Sequence, residues 1–158
     1  MKSVLIIGAS HAGKSTTIRE VCKRVNPTKV YRLHVDNNNL KNSQIELSEI
    51  DKIFNDTFII EVQGKMIMVV AGAPTEQNIR ITVLIEVCIQ IGIDISFLLV
   101  SMRSFEKREG FDTPNELKNQ SEIVLKEKIH KITDDNFINN IEWNQRIDKI
   151  VKIIKSSI

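Results

Sequence analysis

A short loop near the amino terminus constrains this chain more than any other stretch. Gly8, four intervening residues, and then Gly13, Lys14 and Ser15 fit the pattern G-x-x-x-x-G-K-[ST]. The apolar run at residues 4–7 predicts a buried strand before this loop, and residues 15–24 predict a helix after it. Two glycines allow a tight turn, and the backbone N–H groups of such a turn and of the new helix form a seat for an anion. The stretch therefore predicts an anion site between a strand and a helix.

The side chains of this glycine-rich loop (residues 8–15) indicate which anion it takes. Lys14 is placed to reach terminal phosphates, and the Ser15 hydroxyl is placed to hold Mg²⁺. The alternative is a purely structural glycine turn in which the lysine binds no ligand. The predicted nucleotide-binding residues are Gly8, Ser10, His11, Ala12, Gly13, Lys14, Ser15 and Thr16. On Gly8, Gly13, Lys14, Ser15 and Thr16, the chain resembles the P-loop NTPase superfamily, which implies ATP and Mg²⁺ as ligands.

Composition bounds the class of protein. A chain of 158 residues predicts a single nucleotide-binding domain, residues 1–158. A net charge of +2 gives no indication of nucleic acid or of an anionic membrane surface, and no apolar run approaches the ~20 residues of a membrane helix. Cys22 and Cys88 are isolated, which favours buried thiols over a disulfide. We therefore expect a cytoplasmic protein without nucleic-acid or membrane partners, whose oligomeric state the sequence leaves open.

Strand and helix patterns alternate along the chain. The predicted strands span residues 2–7, 29–35, 57–62, 65–70, 94–101 and 136–142, and the predicted helices span residues 15–24, 43–54, 77–91, 113–130 and 145–155. Residues 57–62 and 65–70 flank Gln63 and Gly64, so they form a hairpin or a kinked pair. The alternation predicts an α/β fold with a three-layer, doubly wound, mostly parallel sheet. A ligand then belongs at the carboxyl ends of the strands.

One element expected of such a site is missing. In most of the superfamily that the chain resembles, an Asp closes an apolar strand and holds the metal, but here Val70 is followed by Ala71 and Gly72. Asp36, at the end of the second predicted strand, is the nearest substitute. By resemblance to shikimate-type kinases it binds metal or a substrate hydroxyl; the alternative is a turn with the asparagines that follow it. Glu76 is a weaker candidate, placed to complement a helix dipole.

Two arginines follow the fifth predicted strand. Arg103 and Arg108 precede a helix start with a capping signal, and in the nucleotide kinases that the chain resembles this region is a mobile lid over the phosphates. A solvated charged loop is the alternative. Trp143, before the last helix, either stacks on a nucleotide base or belongs to the core. The predicted catalytic set is therefore Lys14, Asp36, Arg103 and Arg108, with Ser15 and Asp36 on the metal.

Three functions fit these residues. The first is a small kinase that passes the terminal phosphoryl group of ATP to an unidentified small acceptor. The second is a nucleotide-binding accessory or sensor protein with little catalysis, which the missing Asp favours. The third is a GTPase-like switch, suggested by the strand pair around Gly64, but neither D-x-x-G at residues 71–74 nor an [NT]-K-x-D motif is present. The first is our prediction.

Overall fold

A computed structural model describes residues 1–131 and 139–158, and it shows an α/β fold built on one seven-stranded sheet. The strands are β1 (Lys2–Ile7), β2 (Lys29–His34), β3 (Gln44–Leu47), β4 (Thr57–Val62), β5 (Lys65–Val70), β6 (Ile95–Met102) and β7 (Glu122–Lys128). The helices are α1 (Lys14–Val25), α2 (Pro74–Gln77), α3 (Ile81–Gln90), α4 (Thr113–Gln120) and α5 (Ile141–Ser157). None of the helices in these ranges has the length and apolarity that crossing a membrane requires.

The sheet is mixed, with the strand order β3-β2-β4-β5-β6-β1-β7. Among the described strands, β1 pairs in parallel with β6 and β7, and β5 pairs in parallel with β6. The other three pairings, β2–β3, β2–β4 and β4–β5, are antiparallel. The predicted α/β class is confirmed, but the prediction of a mostly parallel sheet is wrong. A two-residue turn at Gln63 and Gly64, both with positive φ, returns the chain antiparallel after β4.

Both faces of the sheet are buried. Successive residues of β1 point to opposite faces, so Val4 and Ile6 belong to one apolar cluster and Leu5 belongs to the other. The first cluster contains buried residues of α1 and α5, such as Ile18 and Ile147. The second contains residues of α3 and α4. The carboxyl ends of β1, β5 and β6 are therefore held between two apolar layers, and the loops that follow them are positioned by a rigid core.

One predicted helix is wrong, and another begins where it was predicted but is shorter. Residues 43–54 form β3 and one 3₁₀ turn (Ile50–Lys52) instead of a helix, because Ile45 and Leu47 pair in register with Leu33 and Tyr31 of β2. The helix predicted at residues 113–130 ends at Gln120, and the chain then adds β7 in parallel beside β1. In both places a strand partner distant in sequence overrides the local helical spacing.

The remaining predictions agree more closely with the structure. The first and last helices are confirmed with longer bounds, and residues 57–62 and 65–70 form a hairpin. The predicted helix at residues 77–91 begins later, at Ile81, after the separate short helix α2. Of the strand predicted at residues 136–142, residues 136–138 lie outside the described residues. The other four do not form a strand, because Asn140 caps α5 and the last two residues begin that helix.

A close backbone approach fixes the segment before β4 against the end of β5. A Cβ atom at Gly72 would lie 2.1 Å from the carbonyl oxygen of Asn55. The N–H groups of Ala71 and Gly72 donate to the carbonyl oxygen of Asp56 at 3.0 and 3.2 Å. Only glycine allows this contact, which holds Phe54 and Asn55 beside the carboxyl end of the sheet.

Replacing Gly72 with Ala should therefore lower the free energy of unfolding by about 1–3 kcal/mol, since backbone atoms must shift to admit the methyl group. Gly64→Asn is the matched control. Nothing lies within 4 Å of a Cβ there and Asn tolerates positive φ, so a change below about 0.5 kcal/mol is expected. Urea unfolding of both variants tests the difference, and an equal effect of the two would refute the proposed contact.

Candidate functional site

The glycine-rich loop is fixed on both sides by the strands that flank β1. The N–H of Gly8 donates to the carbonyl oxygen of Met102 at 3.1 Å, and the N–H of Ile129 donates to that of Ile7 at 2.8 Å. A Cβ at Gly8 would lie 2.9 Å from Cγ1 of Ile129 and 3.1 Å from Cβ of Ala12. Glycine is therefore needed where the loop leaves β1, because the loop folds back tightly against its own strand and the segment after β7.

The loop backbone forms an anion seat at the start of α1. His11 and Gly13 both have positive φ, 62° and 88°, and Gly13 is the residue that caps α1. Within the described chain, the first intrahelical bond of α1 is donated by the N–H of Thr17 to the carbonyl oxygen of Gly13 at 2.9 Å. The N–H groups of the first turn before Thr17 have no partner inside the helix and carry the positive end of its dipole. This geometry suits a phosphate or another compact anion.

Lys14 lies inside this loop. Its side chain is buried, and Nζ donates to the carbonyl oxygens of Gly8 at 2.8 Å and Ala9 at 2.9 Å. Burial lowers the pKa of Lys14 from its ordinary value; nearby Glu76 opposes that shift, and Arg103 adds to it. The ammonium group is therefore held by neutral carbonyl groups at a place where an anion would be a stronger partner.

Ser15 occupies the next position and faces the end of β5. Its hydroxyl donates to the carbonyl oxygen of Ala71 at 3.3 Å, which is a long and weak bond. Both Lys14 and Ser15 line an open cavity of about 590 Å³, which we call the loop cavity. Its lining residues are Ser10, His11, residues 13–16, Phe54, Asn55, Glu76 and Arg103.

The carboxylate of the loop cavity is Glu76, which sequence reasoning ranked below Asp36. Glu76 lies in α2, and its Oε1 accepts a hydrogen bond from Nε of Arg103 at 3.0 Å. The strand order explains why Glu76 and Arg103 lie together. The helix α2 follows β5, Arg103 follows β6, and these two strands are neighbours in the sheet. The signal in the sequence was an acidic residue soon after an apolar strand, but the interrupted helix that presents it could not be read from periodicity.

Asp36 is not part of this cavity. It lies beyond β2, four strand spacings from β1, which corresponds to about 19 Å across the sheet. Its Oδ1 accepts hydrogen bonds from the N–H groups of Asn38 at 2.9 Å and Asn39 at 3.2 Å. This is the turn that the sequence offered as the alternative. A metal site shared by Ser15 and Asp36, as predicted, is therefore not assembled.

Arg103 and Arg108 line one cavity together, but only Arg103 also lines the loop cavity. Arg103 lines the loop cavity, whereas Arg108 lines a neighbouring cavity of about 510 Å³, which we call the basic cavity. The two cavities share Glu76 and Arg103. The lining residues of the basic cavity are Thr75, Glu76, Arg103, Phe105, Lys107 and Arg108. Of the two predicted lid arginines, only Arg103 is thus positioned beside the glycine-rich loop.

A third cavity lies on the other side of the glycine-rich loop. This side cavity has about 180 Å³ and is lined by His11, Ala12, Gly13, Thr16, Thr17, His130, Lys131, Trp143 and Arg146. Trp143 is 5% exposed, belongs to the core cluster of α1 and α5, and has the guanidinium carbon of Arg24 5.7 Å from its ring centroid. Trp143 therefore packs in the core, as one of the two alternatives has it, and also lines the side cavity beside Thr16, while stacking on a base stays a prediction.

No described cluster of three or more His, Cys, Asp and Glu side chains is arranged to hold a metal by itself. Cys22 and Cys88 are free and buried, and burial raises the pKa of both thiols to about 12, as expected for structural cysteines. Arg80 lies at the start of α3 and pairs with Glu116 of α4 at 3.9 Å, so it is directed to α4. Comparison of the chain with protein-family models, with curated proteins and with solved structures finds no match.

The lowered pKa of Lys14 predicts a pH-dependent stability difference. Between the folded-state pKa and 10.5, the unfolded chain holds more protons at this lysine than the folded chain does, so this group makes stability rise with pH. The free energy of unfolding of the wild type should therefore increase relative to that of Lys14→Met from neutral pH to about pH 10. Urea unfolding across this range measures it, with exposed Lys65→Met as the surface-charge control. If the difference in the free energy of unfolding between the wild type and Lys14→Met stays constant with pH, or falls as pH rises, the lowered pKa of Lys14 is contradicted.

Proposed function

We propose that this chain is an ATP-binding protein of the P-loop NTPase type that transfers the terminal phosphoryl group to a small acceptor. The observation that carries this proposal is the loop cavity, where Lys14, Ser15, Glu76 and Arg103 line one space at the start of α1. The helices on both faces of the sheet support the finer assignment of a three-layer, doubly wound P-loop fold. The absence of the guanine-selecting [NT]-K-x-D motif favours ATP over GTP.

The loop offers a distinct partner to each part of a triphosphate. The N–H groups of the first turn of α1 would bind the inner phosphates, and Lys14 would exchange its two carbonyl partners for terminal phosphate oxygens. Arg103 would turn from Glu76 to the same oxygens. The side cavity beyond His11 and Thr16 would receive the nucleoside against Trp143. Lys14 would thus exchange neutral carbonyl groups, and Arg103 a solvent-exposed carboxylate, for the more highly charged phosphate.

Mg²⁺ fits this cavity if the nucleotide brings most of the ligands. The Ser15 hydroxyl has only a weak bond to Ala71, so it is available as a ligand, and Glu76 can act directly or through water. Magnesium sites of this kind use one or two protein oxygens together with substrate phosphates and water. The metal would neutralise charge on the phosphates during transfer.

In the transfer itself, an acceptor oxygen bonds to the terminal phosphorus as the bond from that phosphorus to the bridging oxygen breaks. ADP leaves with the electron pair of the broken bond, and Glu76 takes the proton of the acceptor hydroxyl. Glu76 is the carboxylate that lines the loop cavity among the described residues, and movement of Arg103 to the phosphates would free it for this role.

A second candidate function is a nucleotide sensor with little turnover. It is favoured by the end of β5, where Ala71 and Gly72 stand in place of a metal-binding carboxylate, and by the ion pair that engages Glu76. If the ion pair between Glu76 and Arg103 persists when nucleotide binds, the cavity keeps its affinity for nucleotide, but Glu76 is not free to act as a base. The two functions differ in their dependence on Mg²⁺ and in the formation of ADP.

Calorimetric titration with ATP and with GTP, each with and without Mg²⁺, tests nucleotide binding first. We expect ATP to bind in preference to GTP and Mg²⁺ to strengthen the binding. Lys14→Ala should weaken ATP binding by about 10- to 100-fold, since charged hydrogen bonds of about 1.5–3 kcal/mol are lost. Ser15→Ala should remove most of the Mg²⁺ dependence while the variant still binds ATP.

Exposed Lys65→Ala, on the hairpin, serves as the control for Lys14→Ala and should bind as the wild type does. Wild-type affinity in Lys14→Ala would refute the assignment of the glycine-rich loop. Tight binding that does not respond to Mg²⁺ would favour the sensor over the kinase.

Glu76→Gln separates catalysis from binding. If Glu76 accepts the proton of the attacking group, its amide should lower ADP formation by about 10²- to 10⁴-fold and leave ATP affinity within a few-fold of the wild type. Asp36→Asn is the matched control, because Asp36 lies in its own turn and should leave the rate unchanged. A large effect of Asp36→Asn with none of Glu76→Gln would reverse the assignment of the two carboxylates.

A further inference from the structure

We infer that the basic cavity binds an anionic group of the acceptor, a phosphate monoester or a carboxylate carried on a flat apolar frame. This inference rests on the proposed function, because it assigns the acceptor to the space beside the loop cavity. The two spaces meet at Glu76 and Arg103, so a molecule in the basic cavity would have its nearest atoms beside the terminal phosphate site.

The charge of the basic cavity is the first argument. Lys107 and Arg108 line it, and within residues 1–131 and 139–158 neither forms an ion pair. Its one lining carboxylate in that part of the chain, Glu76, is already engaged by Arg103. Two uncompensated cations facing one space of about 510 Å³ favour an anion there.

The second argument is that the segment carrying these cations is anchored. The carboxylate of Glu106 accepts from the N–H of Thr113 at 2.7 Å and also from the Thr113 hydroxyl, at the start of α4. Phe111 adds a backbone hydrogen bond to the carbonyl oxygen of Arg108 at 3.2 Å. Glu106 therefore ties the segment to α4 and is not engaged by Lys107 or Arg108, which the same segment presents to the cavity.

The third argument concerns the other groups on the walls. Phe105 lines the cavity and is 79% exposed, so its apolar ring is available to contact a ligand there. In the described part of the chain, Thr75 has the one buried side-chain oxygen without a hydrogen-bond partner. The flat apolar frame of an acceptor would cover the ring of Phe105, and a hydrogen-bonding group on that frame would pair with the hydroxyl of Thr75. These features select against a small neutral alcohol.

The test uses phenyl phosphate and benzoate as probes, with benzyl alcohol as the neutral control. Each is titrated into the protein saturated with Mg²⁺ and a non-hydrolysable ATP analogue, and binding is measured by calorimetry. We expect the anions to bind and benzyl alcohol to bind at least about 10-fold more weakly. Binding of both anions indicates a general anion site, and binding of phenyl phosphate alone identifies a phosphate monoester.

Lys107→Ala/Arg108→Ala should weaken probe binding by at least about 10-fold and leave ATP affinity unchanged. Phe105→Ala should weaken phenyl phosphate more than inorganic phosphate. The matched control is Lys118→Ala/Lys152→Ala, which removes two exposed charges elsewhere and should change neither affinity. Equal probe affinity in the wild type and in Lys107→Ala/Arg108→Ala, or equal affinity for benzyl alcohol and the anions, would overturn the inference.

A further variant separates this inference from the proposed function. In Lys14→Met, the loop site is disabled but the basic cavity is intact, so probe binding should persist without nucleotide. If the wild type does not bind ATP but probe binding still requires Lys107 and Arg108, the proposed function is refuted and the anion site is supported. If ATP binds and the probes do not, only the inference of an anion site is refuted.

Discussion

The structure depends on the parallel pairing of β1 between β6 and β7. This pairing satisfies both edges of the strand, whose faces the helices bury, and it continues past the strand end, since the N–H of Gly8 donates to the carbonyl oxygen of Met102 and the N–H of Ile129 donates to that of Ile7. The chain then turns within a few residues into α1, whose apolar side packs against α5. The anion seat is thus the junction between a buried strand and a packed helix, and its shape is stabilised by the core rather than by the loop residues alone.

Strand order determines which other groups reach this junction. Because β6 separates β1 from β5, the residues after both β5 and β6 can approach the glycine-rich loop, and Ser101 joins the two strand ends through a hydroxyl 3.0 Å from the carbonyl oxygens of Val70 and Ala71. Glu76 and Arg103 meet there for the same reason. Asp36 ends on the same edge of the sheet but too many strands away.

The sequence predicted what depends on local chemistry. The glycine-rich loop, α1, α5 and the hairpin around Gly64 each have a signal within a dozen residues, and all lie where they were predicted. What failed depends on partners distant in sequence. β3 and β7 took the place of predicted helices because β2 and β1 offered unpaired edges. The choice of Asp36 over Glu76 failed for the same reason, since periodicity indicates where a strand ends but not which strand ends lie side by side.

The charged groups of the loop cavity, two cations and one carboxylate, have partners that an anionic ligand could replace. Lys14 is buried on two neutral carbonyl groups, and Glu76 and Arg103 compensate each other across partly exposed side chains, where an ion pair contributes about 1 kcal/mol or less. A ligand with several negative charges would therefore displace weak partners only. Arg103, once drawn to the ligand, would leave Glu76 without its ion-pair partner, and a metal ion or a proton from the acceptor would then take the place of Arg103. The Glu76–Arg103 ion pair thus provides the means by which a bound anion would change the state of Glu76.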